Sequence, residues 1–330
     1  MLFRAPAALL CVALTACLAT MADAAPVPSI GTPTLLVRSG HASSASSRHH
    51  RGGKRRSTSR RGRHLAPPPG GVYARNAILV DPTTGEVLFE KNATRSVPIA
   101  SITKLMTAMV FLEQKPDLDR EVEVTAIEMN GAGHTQLRRG ERVPLRELLH
   151  MSLMCSDNCA TRVIARESGL APADFYARMN RKAVELGMTG SRFVEFTGLD
   201  EHNVSTAADV ARMLHAAAHE PLIAEITTTR SYEFRTERRA HALRNTDRLL
   251  YGNYEIMGGK TGFINEAGYC FTTWVRSQGR DLIAVVLGAP TAATRFADTV
   301  RLIQKAQAQD RKSTRLNSSH SSVSRMPSSA

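Results

Sequence analysis

Lysine is scarce in this 330-residue chain: only eight of its 43 Lys and Arg residues are lysines, so any motif that needs an amine can be traced to a named residue. Cysteine is rarer still. Five are present, and beyond the amino-terminal Cys11 and Cys17 only Cys155, Cys159 and Cys270 remain, an odd number that allows at most one internal disulfide. Cys155 and Cys159 are too close along a helix to be bridged without strain, so free thiols are expected. Histidine and cysteine nowhere adopt metal-site spacing: His49-His50 stand alone, and His215 and His219 lie one helical turn apart with no third ligand, so no metal and no cofactor is expected.

Acid is missing altogether from Arg38 to Arg63, a stretch with nine Lys or Arg. The formal charge of +13 is therefore local. The tail from Asp310 holds four bases and one acid, Arg4 offsets Asp23, and residues 72 to 309 keep only +1. A part so near neutrality does not match nucleic acid electrostatically.

What is present divides the chain. Residues 1–24, MLFRAPAALLCVALTACLATMADA, pair one Arg with an apolar run and the small-residue site Ala22-Asp23-Ala24, which reads as a secretory signal. Leu14-Thr15-Ala16-Cys17 offers the alternative of a lipoprotein processing box, with the chain anchored through Cys17. Residues 25–71 are rich in Ser, Arg, His, Pro and Gly and poor in apolar side chains, as in a disordered linker. Residues 310–320, DRKSTRLNSSH, read codon for codon as a translated sequencing adapter, and SRMPSSA fits its continuation, so 310–330 are set aside as non-native.

Between these lies a core-forming part, 72–309. Apolar runs at 77–80 and 87–89 around Asp81-Pro82-Thr83-Thr84-Gly85 predict a hairpin. Leu105, Met106, Met109, Val110 and Leu112 follow helical spacing after Pro98, with Ser101 at the helix start. Helical patterns dominate to about residue 219, strands return at 256–263, 269–276 and 282–287, and a helix is expected over 295–308. Strands at both ends with helices between them predict one sheet built from distant segments, with a helical insertion over about 120–225.

Ser101-Ile102-Thr103-Lys104 puts a hydroxyl three residues ahead of an amine, on neighbouring positions of one helix face. Lysine can take a serine's proton only when neutral, which requires burial or a second cation such as Lys260. Ser101 is the only serine three residues ahead of a lysine. Ser156-Asp157-Asn158 is the only S-x-N and Lys260-Thr261-Gly262 the only K-T-G. Each residue alone has an ordinary reading, Ser101 as a helix cap and Lys260 as a surface charge; their order in one chain argues otherwise.

These three motifs resemble the signature of penicillin-binding proteins and serine β-lactamases. The wider text, VPIASITKLMTAMV, RFVEFTGLDEHNVSTAADVARML and GGKTGFINEAGYC, is similar to the low-molecular-mass D-alanyl-D-alanine peptidases, and HNVSTAADV and RNTDRLL lean towards their endopeptidase branch. The resemblance implies a mixed α/β (α+β) fold, an antiparallel sheet flanked by helices with the site in a cleft beside an inserted helical region. It implies Ser101 as nucleophile, Lys104 as its base, Ser156 as proton relay, Asn158 on the substrate amide, Lys260, Thr261 and Gly262 around the terminal carboxylate, and the backbone N–H groups of Ser101 and Phe263 as oxyanion hole. Asp157 is read as structural. The expected partners are peptidoglycan peptides in the periplasm and β-lactams as covalent inhibitors, with a weak wall or membrane contact through the basic linker; oligomeric state is left open. A β-lactamase is the enzymatic alternative, but the E-x-x-x-N pattern of class A enzymes is missing, so deacylation should be slow. A silent wall-binding protein is the third alternative; it would have no use for Ser101 and Lys104 at that spacing.

Overall fold

The structure, a computed structural model, describes residues 71–323. The expected signal peptide and the linker up to residue 70 lie outside the described residues, as do the last seven of the chain. The hairpin forms as expected from β1 (Asn76–Val80) and β2 (Val87–Lys91), its turn held by Thr83 and Thr84 amides donating to Asp81 Oδ1. A short strand β3 (Val97–Pro98) leads through a 3-10 turn, Ala100–Ile102, into helix α1 (Thr103–Glu113). There follow β4 (Glu121–Glu123), α2 (Ala126–Met129), β5 (Arg142–Pro144), α3 (Leu145–Met154), α4 (Asn158–Arg166), α5 (Pro172–Glu185), β6 (Val204–Ser205), α6 (Ala207–Ala218) and α7 (Pro221–Thr228). A hairpin of β7 (Ser231–Arg235) and β8 (Ala240–Arg244) precedes the long strands β9 (Glu255–Ile264), β10 (Gly268–Ser277) and β11 (Arg280–Ala289), and α8 (Ala292–Val323) closes the chain.

The two ends of the folded part do share one sheet. Its order is β2-β1-β11-β10-β9, antiparallel throughout, with β9 at one edge. Strand period decides which core each residue joins: Ile78, Ile283, Val285 and Leu287 face the helices α1 and α3 to α7, whereas Ala77, Leu79, Leu282, Ala284 and Val286 face α8 through Phe296, Leu302 and Ile303. Both faces being covered, β1 from Ala77 and β11 from Leu282 are runs without polar alternation. Helix α1 is buried from Thr103 to Phe111 on all sides, so the Lys104 side chain has no exposed surface.

Three departures from the sequence reading have local causes. The middle of the chain is not purely helical: β4 pairs with β5, β3 with β6 and β7 with β8, in strands of two to five residues too short to show a period by themselves. Helix α7 was not anticipated, its eight residues being bounded by Pro221 and a run of threonines. Helix α8 starts earlier than expected, where Thr291 Oγ1 accepts from the Thr294 amide, and continues through the segment read as adapter-derived, where no Gly or Pro interrupts it before Val323. Among the described residues no helix is long and apolar enough to cross a membrane.

The turn carrying Ser101 is gripped by two glycines. A Cβ on Gly198 would lie 1.9 Å from the Ala100 carbonyl oxygen, and Gly198 holds φ +83°. A Cβ on Gly262 would come within 2.9 Å of the Ile99 oxygen and 3.1 Å of the Ser101 amide nitrogen. Ala100 itself adopts φ +50°, a strained value for a residue with a side chain, kept by this packing. Gly198→Ala is accordingly expected to destabilise the protein by about 2–3 kcal/mol and to displace Ser101; chemical denaturation together with the acylation rate of Ser101 measures both.

Candidate active site

Ser101 lies inside the 3-10 turn rather than at the cap of α1; the cap position belongs to Ile102, which offers no side-chain bond. Its hydroxyl is thereby left for Lys104, one turn on, whose Nζ is 2.7 Å from Ser101 Oγ. The same nitrogen donates to Asn158 Oδ1 at 2.7 Å and to the Thr197 carbonyl at 2.8 Å. Asn158 Nδ2 donates to the Ala132 carbonyl, which fixes its oxygen towards the lysine. Two acceptors that cannot donate take two N–H bonds of Lys104. A neutral amine then has its lone pair left for the Ser101 hydroxyl proton. Burial favours that neutral form, lowering the Lys104 pKa to about 7 even though Glu195 and Asp157 pull it upwards.

The second half of the site comes from the α3–α4 loop and from β9. Ser156, at φ +62°, sits between the two helices, and Asp157 caps α4 by accepting from the Ala160 amide while its other oxygen takes the Thr135 hydroxyl. Ser156 Oγ is 2.8 Å from Lys260 Nζ, which also donates to the Thr261 carbonyl. Lys260 is fully buried, and burial first, then the charges of Lys104 and Arg295, hold its pKa far below the ordinary lysine range. Thr261 Oγ1 meets Thr246 Oγ1 at 2.7 Å. The close approach of Gly262 to Ser101 brings the backbone at 262–263 beside the nucleophile, while the Phe263 side chain is 45% exposed and stacks on Tyr269 at 4.3 Å. The structure thus brings Ser101, Lys104, Ser156, Asn158, Lys260, Thr261, Gly262 and Phe263 to one cleft. His215 and His219 lie elsewhere, packed with Trp274. Cys155, Cys159 and Cys270 are unpaired, and burial pushes the Cys159 thiol up to about 12.

A family profile described as D-alanyl-D-alanine carboxypeptidase matches residues 63–291. The chain belongs to the D-alanyl-D-alanine carboxypeptidase family. Among relatives, it is 40% identical over 233 residues to the D-alanyl-D-alanine endopeptidase of Pseudomonas aeruginosa and 37% identical over 233 residues to that of Escherichia coli, in both cases covering 69% of this chain and 75% of the relative. Among solved structures, the Streptomyces K15 DD-transpeptidase superposes with a TM-score of 0.68 at 26% identity, over 72% of this chain and 98% of that one. Penicillin-Binding Protein D2 from Listeria monocytogenes, in its ampicillin-bound form, gives 0.61 at 32% identity, over 71% and 97%.

Within this carboxypeptidase-family cleft one contributor escaped the motif reading. The Glu195 carboxylate accepts from the Thr197 amide and hydroxyl, from the Gly198 amide and from Asn203 Nδ2. It shapes the loop that turns the Thr197 carbonyl onto Lys104 and Gly198 onto Ala100. The only sequence signal was an acid two residues before a Thr-Gly pair, indistinguishable from a surface charge. Because Ser101 needs the neutral amine, its acylation by a penicillin should rise with pH to a plateau, with the midpoint near 7. Glu195 stabilises the protonated amine, so Glu195→Gln should move the midpoint to lower pH and reduce the plateau as the Thr197 carbonyl loosens; stopped-flow acylation across pH 5 to 9 tests this, and an unmoved midpoint would remove Glu195 from the account.

Proposed function

We propose that the chain is a serine D-alanyl-D-alanine peptidase that hydrolyses peptidoglycan cross-links through an acyl-enzyme on Ser101. The observation that carries the reading is the three-point environment of the Lys104 amine, two acceptors and the Ser101 hydroxyl. Ser101 Oγ attacks the D-alanyl carbonyl as its proton passes to Lys104 Nζ. Charge developing on the carbonyl oxygen is met by the backbone N–H groups of Ser101 and Phe263. When the tetrahedral species collapses, the proton taken up by Lys104 passes to the leaving amine through the Ser156 hydroxyl, which Lys260 holds in place, and Lys104 is neutral again. Thr261 and Lys260 receive the carboxylate of the leaving residue, and Gly262 lets the substrate lie against the edge strand β9. Water then attacks the ester with Lys104 again as base.

Cleavage of the bridge, rather than only of a terminal D-alanine, is supported by the endopeptidase relatives at 37–40% identity. The ampicillin-bound neighbour supports penicillin as a covalent inhibitor, and the missing E-x-x-x-N pattern supports a long-lived adduct over the turnover of a β-lactamase. The secretory pattern of residues 1–24 supports a periplasmic site of action, where the basic stretch 38–63 would meet anionic wall polymer or membrane surface.

Purified protein should be labelled by a fluorescent penicillin with the adduct persisting through repeated washing, and mass spectrometry should show cross-linked muropeptide dimers converted to monomers. Ser101→Ala should abolish labelling and slow dimer cleavage by on the order of 10³-fold or more. Loss of only a terminal D-alanine from the substrate would instead identify a carboxypeptidase.

A further inference from the structure

Asn158 presents its oxygen to Lys104 while the Ala132 carbonyl holds its Nδ2 at 2.8 Å, so the loop that carries Ala132 helps to set where the amine is met. At its two bends this loop has little packing of its own. Gly131 and Gly133 take φ of +64° and +76°, and a Cβ at either would meet nothing within 4 Å. What ties the loop down is Arg162, one turn after Asn158 on α4. Its Nη1 donates to the Asn130 carbonyl at 2.6 Å and to the Glu128 carbonyl at 3.2 Å, two groups at the end of α2 where intrahelical donors run out. Asn158 and Arg162, on one face of α4, thus grip the same loop at two points.

The charge of Arg162 is not matched by an acid. Its side chain lines a pocket of about 720 Å³ with Glu128, Arg166, Tyr176, Glu195 and Asp200. Each carboxylate there is engaged elsewhere: Glu128 by Thr125 and Arg166, Glu195 by Thr197 and Asn203, Asp200 by His202. Arg166, a further turn along α4, pairs with Glu128 and Glu167, whereas Arg162 forms no ion pair among the described residues. Its field is felt at the amine. Burial does most to lower the Lys104 pKa; of the charges around it, Glu195 and Asp157 raise it and Arg162 lowers it. Lys260, bonded to Ser156, is the other lysine of the cleft.

We propose that Arg162 is a positioning residue for acylation: it clamps the end of α2 to α4, which keeps the Ala132 carbonyl on Asn158 and the Asn158 oxygen on the Lys104 amine. The inference rests on the peptidase reading above, in which Lys104 takes the Ser101 proton. Arg162 itself forms no hydrogen bond to Ser101 or Lys104 and acts only through the loop and its charge. Released from the clamp, the Asn158 amide can turn over. Its NH₂ group would then donate to the lone pair of the neutral amine, in competition with the Ser101 hydroxyl.

The test is stopped-flow acylation of the full chain by a penicillin across pH 5 to 9, for wild type, Arg162→Gln and Arg162→Lys, with melting curves to fix the folded fraction. Arg162→Gln is expected to lower the plateau rate about 10-fold and to move the midpoint above that of wild type, opposite in direction to Glu195→Gln. Arg162→Lys keeps a cation that can donate to both carbonyls, so it should return the midpoint to the wild-type pH and recover most of the plateau. Arg162→Met, which keeps the apolar stem, replaces the Gln variant if that one does not fold. A neutral variant with the plateau and midpoint of wild type, or one whose rate falls only in step with its folded fraction at an unmoved midpoint, overturns the role and leaves the peptidase reading intact. Wild type that is never acylated overturns both.

Discussion

A single amine, shut away from water at the start of α1, is the constraint on which the rest of this structure depends. Lys104 has no exposed surface, and its nitrogen is met by a hydroxyl, a side-chain amide oxygen and a main-chain carbonyl. Each acceptor is fixed from behind: Asn158 by the Ala132 carbonyl, Thr197 by the Glu195 carboxylate. The unfolded chain would hold this proton up to pH 10.5, whereas the native one releases it near 7. Between these values the unfolded state binds more protons, so burial of the amine opposes folding most strongly below pH 7 and less as pH rises towards 10.5. The apolar mass around α1, which faces the whole helical side of the sheet, offsets that penalty.

Backbone strain serves the same arrangement. Ala100 and Ser156, neither of them glycine, hold φ of +50° and +62° on opposite sides of the cleft. Their neighbours leave them no alternative. Gly198 and Gly262 press on the Ala100 turn from two directions, and the Ser156 loop is pinned by the Asp157 cap and by the Asp157 amide bonding to the Met151 carbonyl. Strain held by packing keeps the two hydroxyls aimed at two different lysines before any substrate arrives.

The site gathers basic side chains in a folded part that is nearly neutral overall. The charges of Lys104 and Arg295 act on Lys260 through a dry interior, and Arg248 adds to the field at Arg295. Burial is the main cause that weakens both lysines as cations, with Arg162 adding to it at Lys104 and with Lys104 and Arg295 adding to it at Lys260; Lys104 is thereby freed to take the Ser101 proton.

By itself the sequence determined the chemistry and its order. The three motifs, the helical period through Leu105 to Leu112 and the apolar runs of β1, β10 and β11 are local patterns, and local patterns survive in one dimension. It also contained the wider similarity that the family profile and relatives bear out. What only the tertiary structure decided is which residues, distant in the chain, complete each group. Glu195 is 91 residues from the lysine whose partner it positions, and the tight fit of Gly198 against Ala100 is a contact between loops. Short strands such as β3 and β6 likewise owe their existence to a partner rather than to their own two residues. The physical reason is common to all of these: a side chain's period is set by its neighbours in sequence, but burial, strain and field are set by its neighbours in space.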